Sequence, residues 1–122
     1  MKTIRQKGDK DCGVACVAML SGRSYRDVRE MIYGAEDERL TFTKDLHAAL
    51  VELGRKPLSD RRKGFYSKTP EDLDTDALIF VKRGKKGKGI GHWIVWDAKA
   101  KKRRDPCPED KPYVLKGYLP LV

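Results

Sequence analysis

The stretch Gln6-Lys7-Gly8-Asp9-Lys10-Asp11-Cys12-Gly13-Val14-Ala15-Cys16-Val17-Ala18-Met19-Leu20 decides how this chain is read. It begins as a polar, glycine-containing loop and turns apolar at Cys12. From Cys12 to Leu20 there is no charged residue, in a chain where 37% of residues are charged. A segment with no polar face predicts a helix buried on all sides. Cys12 falls in its first turn, where unpaired backbone N–H groups and the helix dipole favour negative charge, and so the thiolate. Cys16 falls one turn further in, among Ala15, Val17 and Met19, where burial keeps a thiol neutral. Position separates a candidate nucleophile from a core cysteine.

After this helix, Ser21-Gly22-Arg23 makes a break, and Ser24 is placed to cap a second helix with Asp27 three residues on. Its apolar positions Tyr25, Val28, Met31 and Ile32 fall on one face, and Gly34 ends it. Residues 35–40 read as a charged loop. Thr43 is placed to cap a third helix, whose Leu46, Ala49, Leu50 and Leu53 keep helical spacing before Gly54. His47, one of two histidines, lies beside that stripe and reads as a boundary histidine rather than a base.

From Arg55 the texture changes. Residues 57–68 read as extended or irregular, and Thr69-Pro70-Glu71-Asp72 as the start of one helical turn. Residues 77–81, Ala-Leu-Ile-Phe-Val, form an apolar run of strand length that predicts a central buried strand. Residues 83–91 read as a glycine-lysine loop. Further strands are expected at 92–96, 103–105, 113–115 and 118–119. Helices first and strands afterwards predict an α+β fold. At 122 residues the chain is expected to be a single domain, 1–122, with N-terminal helices packed on a C-terminal antiparallel sheet.

An even loop between the 92–96 and 103–105 strands, with Asp97 opposite Ala100 or Trp96 opposite Lys101, predicts Asp105 directly opposite His92. Opposed residues of an antiparallel pair share a face of the sheet, so imidazole and carboxylate could hydrogen-bond. Asp97, the rival carboxylate, lies at odd spacing from His92 and is expected on the other face.

The balance of 27 Lys+Arg against 18 Asp+Glu gives a net charge of +9. The excess gathers in Arg61-Arg62-Lys63, in residues 82–88 and in residues 99–104. Such clusters suit anionic partners, namely nucleic acid, acidic proteins or anionic lipid heads, or else form a solvated surface. Aromatics are 8% of the chain, and no recognised motif interleaves them with the basic runs, which argues against a nucleic-acid-binding module. There is no apolar run of about 18 residues, so no transmembrane helix is expected. The N-terminus lacks an apolar segment of the secretory type. Three cysteines, an odd number, point to free thiols in a reducing cytoplasm.

Gln6, followed by Asp11-Cys12-Gly13-Val14-Ala15-Cys16-Val17-Ala18-Met19, resembles the active-site segment of the bacteriocin-processing cysteine peptidases. These are papain-like enzymes that cut double-glycine leader peptides. Gly91-His92-Trp93-Ile94-Val95 and Asp105-Pro106 resemble that family's histidine and aspartate segments, so the likeness runs from Gln6 to Pro106. The resemblance implies a papain-like fold, a peptide or protein substrate with a glycine-rich cleavage site, and no cofactor. It makes Cys12 the nucleophile, His92 its base, Asp105 the group that orients His92, and Gln6 a donor to the oxyanion. Removal of a glycine-ended protein modifier would use the same chemistry. In that family's transporters the peptidase is the front end of a membrane protein, whereas this chain is expected to be free-standing, with no membrane partner.

The main alternative is a zinc shell of Cys12, Cys16, Cys107 and His92. The spacing of the first two cysteines is that of a helix, not of the tight knuckle in structural zinc ribbons. A zinc site would also leave Gln6 and Asp105 without a role.

Overall fold

The computed structural model describes residues 1–109 and 112–122. The elements are α1 Cys12–Ser21, α2 Tyr25–Tyr33, α3 Thr43–Glu52, a 3-10 turn Pro70–Asp72, and strands β1 Ala77–Arg83, β2 Gly91–Asp97, β3 Lys102–Arg104 and β4 Tyr113–Pro120. The strands make one antiparallel sheet in the order β3-β2-β1-β4. The chain is therefore α+β, with its helices before its strands.

All nine residues from Cys12 to Leu20 are buried, as an uncharged helix requires. Gly22, at φ 74°, turns the chain out of α1 and donates its N–H to the Ala18 carbonyl. The helix packs on β2 and touches both α2 and α3. Its Val14, Val17 and Leu20 share one core with Val28, Leu46, Leu50, Leu78 and Val95. Alternation along the strands sends Ile79, Val81, Ile94 and Trp96 to the opposite face, where Phe65 and Tyr118 join them in a second core. Burial on both faces is why β1 reads as an unbroken apolar run. The segment before it lines the free edge of β4: Leu58 donates to the Pro120 carbonyl, and Lys63 exchanges both backbone bonds with Tyr118.

Three expectations are corrected. Thr43 is the first residue of α3 rather than its cap; Phe42 takes the cap position, and its N–H is held by the Asp45 carboxylate at 2.8 Å. The two short C-terminal strands are one strand, β4. Lys116 is the extra residue of a bulge between the Phe80–Gly117 and Val81–Leu115 pairs, which breaks the alternation. The β2–β3 hairpin pairs Asp97 with Lys102, so the connection has four residues rather than two. Asp97 accepts the Ala100 N–H at 3.2 Å and Lys101 adopts φ 53°, which closes this longer loop.

Gly13 sets how closely α1 can approach the rest of the core. A methyl at this position would lie 2.2 Å from Thr41 Oγ1 and 2.9 Å from a Leu46 methyl. Gly13→Ala gains about 1 kcal/mol in helix propensity but overpacks a site with no slack, at about 1–3 kcal/mol. A net destabilisation of about 1 kcal/mol is expected in urea unfolding. Thr41→Ala should recover part of it, and simple additivity of the two changes would contradict this packing account.

Candidate functional site

The site is assembled by the residues that flank α1. Asp11 precedes the helix, yet its carboxylate does not cap it. It accepts instead the backbone N–H groups of Lys7 (2.8 Å) and Gly8 (2.9 Å) and the Tyr25 hydroxyl. Burial works against charge on Asp11, but these bonds outweigh it and hold the carboxyl below its ordinary range. The loop before the helix is thereby folded back, and the first-turn amides of α1 are left without a side-chain cap. Gln6 ties this loop to the far end of the chain, its backbone N–H donating to the Pro106 carbonyl at 2.9 Å.

That contact brings the segment beyond β3 to the edge of β2. Extending the observed register places Asp105 across from Ile94, not directly opposite His92 as the shorter hairpin predicts. A shift of two residues preserves the face. The chain leaves β3 at Asp105, and the Cys107 N–H turns onto Asp105 Oδ1 at 2.8 Å. The same oxygen lies 2.6 Å from His92 Nε2. Asp97 is engaged elsewhere, bonded to Arg104 Nε at 2.9 Å.

His92 is 7% exposed and Cys12 is 5% exposed. Burial opposes a charged imidazole, but the hydrogen bond to Asp105 and the nearby Cys12 sulfur outweigh it, raising His92 from 6.5 to about 9. Burial would likewise raise the Asp105 carboxyl, but His92, the Cys107 amide and Arg83 together hold it below its ordinary range. The ring is thus kept as an imidazolium at neutral pH, between a carboxylate and a thiol. Cys16 has no such company. It is fully buried in the core, and burial raises its thiol well above the usual range.

Gln6, Cys12 and His92 line one cleft of about 530 Å³, with Leu40 and Ile90 exposed on its walls. The Gln6 side-chain amide donates to the Gly8 carbonyl at 2.8 Å, and its oxygen is buried with no partner among the described residues. One N–H of that amide thus holds its own loop, and the second makes no bond among the described residues. Cys107, read from sequence only as a loop thiol, is half-buried in the cleft wall. His47, half-buried on α3, is not among the residues lining the cleft.

Two contributors carry little sequence signal. Asp11 looks like an ordinary cap, and only the fold shows its carboxylate turned back on the loop. Arg83 looks like one more cation beside a lysine run. In the structure it donates to the Cys107 carbonyl at 2.7 Å and lies 3.6 Å from Asp105 Oδ2, bracing the carboxylate that holds His92. Among the described residues no three His, Cys, Asp or Glu side chains are grouped to hold a metal ion, so the shell of Cys12, Cys16, Cys107 and His92 is not assembled. Among the described residues, too, no helix is long and apolar enough to cross a membrane. Comparison with known proteins finds no matching family model, no matching curated protein and no matching solved structure.

Proposed function

We propose that this chain is a papain-like cysteine peptidase that hydrolyses a peptide or isopeptide bond through Cys12, His92, Asp105 and Gln6. The observation that carries this reading is the buried His92, hydrogen-bonded to Asp105 at 2.6 Å and sharing one open cleft with Cys12. The Cys12 thiolate attacks the substrate carbonyl carbon, and the carbonyl electron pair moves onto oxygen. The uncapped Cys12 N–H and the second Gln6 N–H donate to that oxyanion. As the C–N bond breaks, His92 gives its proton to the leaving amine, which leaves a thioester on Cys12. Water then attacks the thioester carbon while His92 takes up its proton, and as the C–S bond breaks the acid product departs and the Cys12 thiolate is restored beside the charged His92.

The preference for glycine before the scissile bond rests on the resemblance of the Gln6–Met19 segment to the double-glycine peptidases. A set of fluorogenic peptides differing only at that residue tests it. Glycine is expected to exceed leucine or aspartate by about tenfold or more in kcat/KM. Cleavage of none of these peptides, or equal cleavage of all, would count against the reading. Excision of a glycine-ended protein modifier draws on the same site and is tested by an isopeptide-linked substrate in the same assay.

The pH profile follows from His92. Its value is raised, so the charged ring persists below about 9 and is lost as pH rises through it. Activity is expected to fall on the alkaline side near pH 9. In Asp105→Asn the carboxylate that raises His92 is gone, and the limb should move down toward the ordinary 6.5 of imidazole. An alkaline limb unmoved by Asp105→Asn would show that His92 is not held by Asp105 in the working enzyme. The same linkage bears on folding. The stability gained by protonated His92 is fully present below 6.5 and lost as pH rises through about 9, a trend that His92→Ala should lack.

Of the cationic runs, Arg83 alone lines this cleft among the described residues; the other charged residues there are His92, Asp9 and Glu109. Among the described residues the cleft wall balances two cationic and two acidic side chains, so any steering by the basic surface acts at longer range and should fade with added salt.

A further inference from the structure

A second surface, separate from the cleft, is built from the 61–68 segment and β4. Lys63 pairs with Tyr118 at the free edge of β4, where Arg62 lies over the Phe80 ring on the helix side and Phe65 reaches the core on the opposite face. Phe65 turns inward and packs on the Tyr118 ring at 4.6 Å between centroids. Tyr66 turns outward and is 98% exposed. It sits at a corner closed by the Lys68 N–H on the Phe65 carbonyl, with φ 53°, a left-handed conformation that strains a bulky L residue. A Cβ on Gly64 would lie 3.0 Å from the Tyr66 ring, so the ring rests against bare backbone there. The strain buries nothing of Tyr66; it presents the ring to solvent.

Around this ring lie two adjoining grooves of about 600 and 530 Å³, which share Gly64, Phe65, Tyr66 and Lys68. Their described lining contains cations and no carboxylate. Arg103 is already paired with Glu71 at 2.6 and 2.8 Å. Lys63, Lys68 and Lys116 are exposed and make no ion pair among the described residues. Lysines gathered without counter-charge repel one another and raise the local potential, which an anion relieves.

We propose that this groove binds single-stranded nucleic acid, with the lysines along its phosphates and a base stacked on Tyr66. An acidic peptide would need the lysines alone and would leave the strained, outward ring without a use. A duplex keeps its bases stacked on one another and offers the ring no free face. A single strand uses both features, because stacking on an aromatic platform is tolerant of sequence and phosphate contact supplies the affinity.

Fluorescence anisotropy with a labelled oligo-deoxythymidylate of about 15 nucleotides tests this, set against an oligo-glutamate of matched charge and a duplex. The strand is expected to bind most tightly of the three at low salt, with log affinity falling linearly in log salt. Tyr66→Ala should weaken it about tenfold or more, and Tyr66→Trp should keep it. Lys63→Glu with Lys68→Glu should weaken it further and flatten the salt slope. Cys12→Ala should bind as the parent chain does, since this site does not depend on the peptidase reading. Circular dichroism of each variant separates lost binding from lost folding. The proposal is overturned if the strand does not bind at low salt. It is equally overturned if oligo-glutamate or the duplex binds as well as the strand, or if Tyr66→Ala changes nothing.

Discussion

Cys12→Ala is expected to abolish turnover of any substrate this chain cleaves while leaving the fold in place. The side chain removed is small and sits at the start of α1, 5% exposed at the cleft. Cys16→Ala should do the reverse. It hollows a fully buried position and should cost about 1–2 kcal/mol of stability with the active site intact. His92→Ala should lose nearly as much activity as Cys12→Ala, and the double variant little more than either. Groups that act as a unit are strongly non-additive: once the thiol has no base, removing it takes away little that still works. Equal rates for the parent and Cys12→Ala would remove Cys12 from the chemistry. Multiplying losses in the double variant would separate Cys12 from His92.

Gln6→Ala should lower kcat by about 100- to 1,000-fold with little change in KM, because an oxyanion donor works only when charge develops on the oxygen. The structure adds a control. One N–H of the Gln6 amide holds the Gly8 carbonyl at 2.8 Å, so alanine also loosens the loop. Gln6→Glu keeps the length of the side chain but replaces the donor with a carboxylate that repels the oxyanion, and it should be at least as slow as Gln6→Ala. A rise in KM with kcat retained would make Gln6 a substrate contact. Activity kept in Gln6→Glu, which has no N–H to give either the Gly8 carbonyl or the oxyanion, would show that donation by Gln6 is not needed.

The helical half of this fold was legible because its signals are local. An uncharged run at residues 12–20 has nowhere to go but the interior. The Ser24 cap, whose hydroxyl accepts the Asp27 N–H at 3.1 Å, and the turn at Gly34 bracket α2 as read. The sheet was legible in its strands but not in its pairing. The four-residue connection depends on Lys101 adopting φ 53° and on Asp97 gripping Ala100, neither of which alternation of side chains reveals. The bulge at Lys116 is similar, since an extra residue in one strand is visible only against its partner.

The proximity of Asp105 and His92 was anticipated with the wrong register, and it survives because an even slip keeps the face. Arg83 and the folded-back Asp11 act through contacts 22 and 14 residues away in sequence, at Asp105 and Tyr25. No spacing rule reaches across such gaps. The basic run at Arg61-Arg62-Lys63 was legible as charge, while the outward turn of Tyr66 beside it depends on one backbone angle.

Site-resolved alkylation by iodoacetamide, followed by mass spectrometry from about pH 5 to 9, tests the pairing of Cys12 with His92 most directly. It needs no knowledge of the substrate. Cys12 is expected to react faster than Cys107 across this range, because the charged His92 ring lies beside it in the cleft. Cys16 should stay unmodified while the fold holds. His92→Ala should remove the advantage of Cys12 over Cys107 and add no reactivity to Cys16. Cys12 that reacts no faster than Cys107, or as fast without His92 as with it, would contradict the account at its centre.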